Sequence, residues 1–146
     1  MMYTVAMLRK GKDLQLMTLK RGVMTLSYHD DLKKIEDLQN EGFELESCIM
    51  TNKQEVFYKH KLKGRIAEYN NYLEYGGRTL SHLHLKHGAD SEVYKDTLRL
   101  LSEHRATLKK QVAMCALRCL DLGVPVNELA LDCVFDYNRE LERGAK

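Results

Sequence analysis

YKDTLRLLSEHRATLKKQVAMCALRCLDL, residues 94–122, is the stretch that decides the fold of this chain. It contains neither Gly nor Pro, and apolar residues recur along it at alternating steps of four and three. This seam consists of Tyr94, Leu98, Leu101, Leu108, Val112, Cys115, Cys119 and Leu122, with Arg105 interrupting it. Such spacing predicts one long α-helix that packs against another helix.

The sequence around the seam is also helical in pattern from Arg65 onward. We expect a first helix over residues 66–75, a break at Gly76-Gly77 and a second short helix ending at His87. Gly123 then stops the seam helix, and a last helix follows near residues 126–141. The prediction is a helical domain over residues 64–146, with an oligomerisation hairpin over residues 91–142.

The first sixty residues favour β-structure. Period-two and short apolar runs predict strands, and a short helix with Leu32, Ile35 and Leu38 on one face interrupts them. The predicted strands are 3–8, 14–19, 23–28, 43–50 and 55–60. The whole chain is therefore predicted to be α+β: a small antiparallel β-sheet with one helix at the N-terminus, in a domain over residues 1–63, followed by an all-helical C-terminal part.

One motif in this N-terminal part resembles a known family. The run LQNEGFELES, residues 38–47, and the segment VFYKH, residues 56–60, are similar to a small bacterial domain family of unknown function. That family has a helix, a Glu-Gly-Trp-Glu-Leu pentad and a closing strand with an aromatic and a basic residue; here Phe43 stands in place of the Trp. The resemblance covers about residues 3–62, implies an α+β fold and transfers no active site.

Composition limits the classes of function. The chain has 146 residues, 44% of them hydrophobic and 30% charged, which is typical of a globular protein. Its net charge of +2 is spread along the sequence, so nucleic-acid binding is not favoured. The four cysteines lie in apolar or amphipathic runs, as reduced thiols do, and the N-terminal apolar run is too short for a signal or a membrane span. We therefore expect a cytosolic protein without a membrane segment.

Three tyrosines suggest a protein-binding surface. Tyr69, Tyr72 and Tyr75 share a predicted helix with Asn70 and Asn71, where few charges occur. Tyrosines beside amides form adaptable binding surfaces. The alternative is that these rings belong to the core.

A basic segment suggests nucleic-acid binding instead. Lys59, Lys61, Lys63 and Arg65 alternate along the end of the strand predicted over residues 55–60, beside two aromatic residues. A sheet that binds nucleic acid combines stacking rings with cations in this way. The alternative is a solvated strand edge that lysines protect from aggregation.

Histidines form the one cluster with a metal-like composition. His84 and His87 are three residues apart and would share a helix face, whereas His82 would point elsewhere. No Cys pair at zinc spacing lies nearby, which favours an exposed polar stretch over a metal site.

No catalytic motif and no cofactor are predicted. The function that we expect is a non-enzymatic protein-interaction module, a small cytosolic regulator or inhibitor such as mobile elements and phages encode, which binds a larger protein. We expect it to form a homodimer through Tyr94, Leu98, Leu101, Arg105 and Leu108, where Arg105 pairs with an acid such as Glu103 of the second copy. A dimeric nucleic-acid-binding regulator is the alternative, and a metal-binding or small-molecule-binding protein is the third hypothesis.

Overall fold

The computed structural model describes residues 2–21 and 28–144 and has an α+β fold, as predicted. In chain order the elements are β1 (Met2–Lys10), β2 (Asp13–Arg21), α1 (Tyr28–Asn40), β3 (Glu44–Thr51), α2 (Gln54–His87), α3 (Glu92–Asp121) and α4 (Glu128–Gly144). The predicted position of the first helix needs correction, because α1 lies between β2 and β3 and does not stand at the N-terminus. Of the strand predicted over 23–28, residues 23–27 lie outside the described residues, and residue 28 begins α1.

The sheet has the strand order β2-β1-β3, and both pairings are antiparallel. Because β1 is central, it buries side chains on both faces of the sheet. Tyr3 and Val5 join the core that the long helices form, while Ala6 and Leu8 pack with Ile35 of α1 in a second cluster. The sheet therefore lies between α1 and α2.

Two predictions for residues 54–87 are wrong because this segment forms one continuous helix, α2. The strand predicted over residues 55–60 is wrong, because these residues form the first two turns of α2. The segment VFYKHKLK alternates like a strand, but Tyr58, Leu62 and Tyr69 also follow the steps of four and three that continue through a helix. These three residues are buried, so packing on the helical face decides the conformation.

The break predicted at Gly76-Gly77 is wrong as well, since α2 continues to His87 and neither glycine has a positive φ. The domain boundary predicted at residues 63–64 lies within the same helix. Gly64 is buried there, and a Cβ at this position would lie 2.5 Å from Leu16 Cδ1 of β2. Gly64 thus allows α2 to approach the sheet closely. The division into two domains stays a prediction, and one continuous helix crosses its proposed boundary.

The long helix α3 confirms the prediction made from its seam. Ser91 caps its start, where its Oγ accepts a hydrogen bond from the Tyr94 backbone N–H at 3.2 Å. The helix packs antiparallel to α2 along its whole length. Contacts between the two helices include Tyr58 with Cys119, Arg65 with Gln111, Tyr72 with Leu101, and His84 with Tyr94. Helix α4, near the predicted 126–141, covers the C-terminal half of α3 through Ala130, Cys133 and Val134.

The continuity of α2 gives a direct prediction about its glycines. Gly77→Ala should stabilise the protein by about 1 kcal/mol, because alanine favours a helix over glycine and a Cβ at Gly77 has nothing within 4 Å. Gly64→Ala should bring no such gain, because its Cβ would displace Leu16. Urea unfolding followed by circular dichroism measures both changes. A helix that broke at Gly77 would instead give a loss of stability for Gly77→Ala.

Candidate functional site

The two halves of the α2–α3 pair differ in burial. In the half near the sheet, Val112, Ala113, Ala116 and Cys119 of α3 are completely shielded from solvent. In the other half, from residue 77 through residue 107, no residue is buried. We call this second half the distal hairpin. The apolar seam continues through it, and among the described elements α4 reaches only the end of it nearest the core, beside Ser102, Arg105 and Ala106.

Large apolar side chains of the distal hairpin are therefore exposed to solvent. Leu85 is 86% exposed, and Leu100 is 57% exposed. Val93 and Leu98 are also among the exposed large hydrophobic residues. Leu98 and Leu100 lie on nearly opposite faces of α3, so only the exposed apolar side chains that share one groove can form a single interaction surface.

A shallow groove of about 240 Å³ runs between the two helices where the distal hairpin begins. Its lining includes Tyr72, Leu73, Leu80, Leu98, Leu101 and Arg105. Leu98, Leu101 and Arg105 are three of the residues predicted for dimerisation, so the structure brings them to one groove. Within the described part of the chain, no ion pair involves Arg105. The other two predicted residues lie elsewhere: Leu108 is buried in the core, and Tyr94 contacts the His84 ring.

The tyrosines predicted to bind a protein mostly pack within the chain. Tyr69 is 5% exposed and belongs to the main core. Tyr72 is half-buried, donates a 3.4 Å hydrogen bond to the Leu101 carbonyl and packs edge-on against the His104 ring, and its burial raises its pKa. The Arg78 guanidinium lies over the Tyr75 ring, 5.3 Å from the centroid of that ring. Of the three, only Tyr72 lines the groove.

Helix α2 divides the four predicted basic residues between two faces. Lys61 and Arg65, four residues apart, face α3 and line one groove with Tyr58. Lys63 lies beside the sheet with His60, whose pKa is lowered by burial first and then by Lys63 and Lys59. The four basic residues therefore do not lie along one side of a strand as predicted.

The structure adds two basic residues that the sequence did not single out. Lys20 of β2 and Arg118 of α3 both approach the Tyr58 ring, with their charged groups 5.3 Å and 5.5 Å from its centroid. They are far from Lys61 in sequence, so no local motif indicates them. A helical assignment for residues 54–87 would at least have placed Lys61 and Arg65 together beside Tyr58.

The histidines predicted as metal ligands are exposed near the end of α2. His84 packs edge-on against Tyr94, with ring centroids 5.7 Å apart. Over residues 2–21 and 28–144, no group of three His, Cys, Asp or Glu side chains is arranged to hold a metal ion. The structure therefore offers no further ligands to His84 and His87 in that range.

The buried cysteines are thiols that remain protonated. Burial raises the pKa of Cys115 to about 12 and also raises that of Cys119. Cys119 Sγ donates a hydrogen bond to the Tyr58 carbonyl oxygen at 3.3 Å. Thiols of this kind are poor nucleophiles, as expected of core residues.

One ion pair joins α3 to α4. Lys109 Nζ lies 2.6 Å from Asp136 Oδ2, and Arg139 lies 2.8 Å from the other oxygen of the same carboxylate. The hydrogen bond from Lys109 lowers the pKa of Asp136, and the same bond raises the pKa of Lys109. The pair stabilises the fold while the carboxylate is ionised.

Asp136→Asn should destabilise the protein by about 0.5 kcal/mol at neutral pH, because the ion pair is partly exposed to solvent. The folded-state pKa of Asp136 is below its ordinary value of 3.8, so this contribution is complete above pH 3.8 and is lost as pH falls through the lowered pKa. Urea unfolding at several pH values measures the difference. Glu140→Gln, a nearby carboxylate without an ion pair to a described residue, is the control and should show no such pH-dependent loss.

Comparisons with protein-family models, with curated proteins and with solved structures found no match for this chain. The resemblance over residues 3–62 therefore stays a prediction, and its expected closing strand is helical in the structure. Among the helices that the structure describes, none is long and apolar enough to cross a membrane.

Proposed function

We propose that this chain is a non-enzymatic protein-interaction module that works as a homodimer, and that the distal hairpin is its dimerisation element. One observation carries the proposal: no residue of 77–107 is buried, although the apolar seam continues through this segment. Two helices bury only the side chains that lie between them. A second hairpin laid on the groove would complete a four-helix bundle and cover Leu98 and Leu101.

The charges of the distal hairpin favour a second copy as the occupant of the groove. On the α2 side, residues 77–87 carry Arg78 and Lys86 and no acidic residue. On the α3 side, residues 88–96 carry three acids, Asp90, Glu92 and Asp96, and one lysine. A two-fold axis across the groove would place the basic α2 segment of one copy against the acidic α3 segment of the other. Each copy thus supplies both halves of a complementary surface.

Arg105 fits the same arrangement. It lines the groove, and none of the carboxylates in the described residues forms an ion pair with it. The nearby Glu103 is 4.0 Å from Arg99 on the exposed side of the same helix. Residues two apart lie on nearly opposite faces of a helix, so Glu103 faces away from the groove and its pairing with Arg105 of the second copy stays a prediction. Within the groove, Arg105 would instead bring a positive charge to the interface.

The biological role that we propose is that of a small cytosolic regulator or inhibitor that binds a larger protein. Dimerisation through the distal hairpin would leave the sheet and α4 free for that partner. The cysteines support a reducing compartment, since Cys115, Cys119 and Cys133 are buried thiols in the core.

Leu98→Asp tests the dimer. The wild-type protein should have the mass of two 17.0 kDa chains in light scattering after size exclusion. A carboxylate in the groove should weaken the dimer by about 30-fold or more, which corresponds to about 2 kcal/mol. Leu120→Asp is the matched control, because Leu120 is exposed to a similar extent on the same helix but lies outside the distal hairpin.

The outcomes of this test are distinct. A dimer that dissociates on Leu98→Asp and persists on Leu120→Asp, with both variants folded by circular dichroism, supports the proposal. A wild-type protein that is monomeric at every concentration contradicts it. Equal dissociation by both variants also contradicts it, because the interface would then not be the distal hairpin.

A further inference from the structure

The strongest charge cluster outside the distal hairpin surrounds one aromatic ring. Lys20 of β2, Lys61 of α2 and Arg118 of α3 each place a cation 5.3–5.8 Å from the centroid of the Tyr58 ring. Lys20 Nζ also donates a 2.9 Å hydrogen bond to the phenol oxygen. Three elements that are far apart in sequence thus bring three positive charges to one point.

These three cations lack the neutralising partners that other basic residues of the chain have. Arg9, Arg65, Arg78, Lys109 and Arg139 each lie within 3 Å of a carboxylate oxygen. Among the described residues, no carboxylate forms an ion pair with Lys20, Lys61 or Arg118. Mutual repulsion of the three is offset in part by the π faces of Tyr58 and Phe57 and by the phenol oxygen of Tyr58. The cluster is therefore electrostatically suited to an anion.

The space beside the ring is large enough for a small ligand. A groove of about 340 Å³ lies between α2 and α3, and its lining includes Tyr58, Lys61, Arg65, Gln111 and Arg118. Glu68 and Gln111 hold the Arg65 guanidinium at 2.9 Å and 3.4 Å. Cys115 at the base of the groove is neutral, because burial raises its pKa to about 12. The groove thus combines the cations of Lys61 and Arg118 with a floor at Cys115 that carries no negative charge.

We propose that this groove binds a phosphate group, which Lys61 and Arg118 contact directly while the nearby Lys20 contributes positive charge. Phosphate suits the arrangement because a guanidinium binds two of its oxygens at once and an ammonium binds a third. The phosphate belongs either to a small phosphorylated molecule or to the backbone of a nucleic acid, and the same atoms would recognise both. This site is separate from the distal hairpin and does not depend on dimerisation.

Tyr58 provides an intrinsic reporter for the site. The hydrogen bond from Lys20 lowers the pKa of the phenol, and the charge of Lys20, hydrogen bonding by Arg118 and the charge of Lys61 add to this shift, although burial opposes it. A bound phosphate would offset the same cations and raise the pKa of Tyr58 again. Ionisation of tyrosine can be followed by absorbance as the pH is raised. Comparison with Tyr58→Phe identifies the contribution of Tyr58 to this titration among the eight tyrosines.

The test is calorimetric titration of the full chain with three probes, inorganic phosphate, pyrophosphate and a short single-stranded DNA, and with acetate as the control anion. We expect saturable binding of at least one probe and a rise in the pKa of Tyr58 on binding. Lys61→Gln combined with Arg118→Gln should weaken binding at least about tenfold, since each removes a charge-assisted hydrogen bond. Lys33→Gln combined with Lys34→Gln, two exposed lysines of α1, is the charge-matched control and should bind as the wild type does.

Each outcome decides the proposal. Binding of phosphate or pyrophosphate supports a small phosphorylated ligand, and binding of the DNA alone supports a nucleic-acid backbone. Absence of saturable binding by all three probes overturns the proposal. The proposal is also overturned if the control pair of substitutions weakens binding as much as the groove substitutions do. Acetate binding with the affinity of the best probe overturns it as well. Neither result would require the phosphate-binding geometry of the groove.

Discussion

The first turn of α2 is the point on which the rest of the structure depends. Phe57 is fully buried and stacks on Tyr3 of the central strand, with ring centroids 4.6 Å apart. The next residue, Tyr58, faces α3, and its carbonyl oxygen accepts a hydrogen bond from the Cys119 thiol. Two successive residues therefore join the sheet to one side of α2 and the long helix α3 to the other. Removing either ring would separate layers that otherwise share one core.

The length of α2 and α3 exceeds what this core can cover. At 1.5 Å per residue, α2 extends about 16 Å beyond its last buried residue, Gly76. The sheet, α4 and the loop near Val124 enclose the other half of the pair. The antiparallel contacts continue outward nevertheless, because Tyr72 reaches Leu101 and His84 reaches Tyr94. In the distal hairpin the two helices are in contact but bury no residue. A partner that covered the open face of the distal hairpin would therefore stabilise it.

Sequence alone predicts an element correctly where its apolar residues fit a single periodicity, either that of a helix or that of a strand. The α3 helix follows from a seam without Gly or Pro, and its stop follows from Gly123. The segment from residue 54 to residue 62 satisfies two periodicities, alternating aromatic and basic residues as a strand does and spacing its apolar residues as a helix does. Only burial against Tyr3 and α3 selects the helix. The convergence of Lys20 and Arg118 on Tyr58 then follows from tertiary packing, which no local pattern encodes.

A small net charge is a poor guide to the surface of this protein. The formal charge of +2 arises because acids and bases are nearly equal in number, but the structure does not distribute them evenly. Most ion pairs join residues on exposed helix faces or at the edge of the sheet, where they contribute little to stability. Around the buried Tyr58 ring the chain instead places three cations without a carboxylate partner among the described residues, and two of them, Lys61 and Arg118, line one groove. Repulsion among those cations lowers the stability of the fold while the groove is empty. A bound anion would relieve this repulsion, so the same cluster of cations that opposes folding favours anion binding.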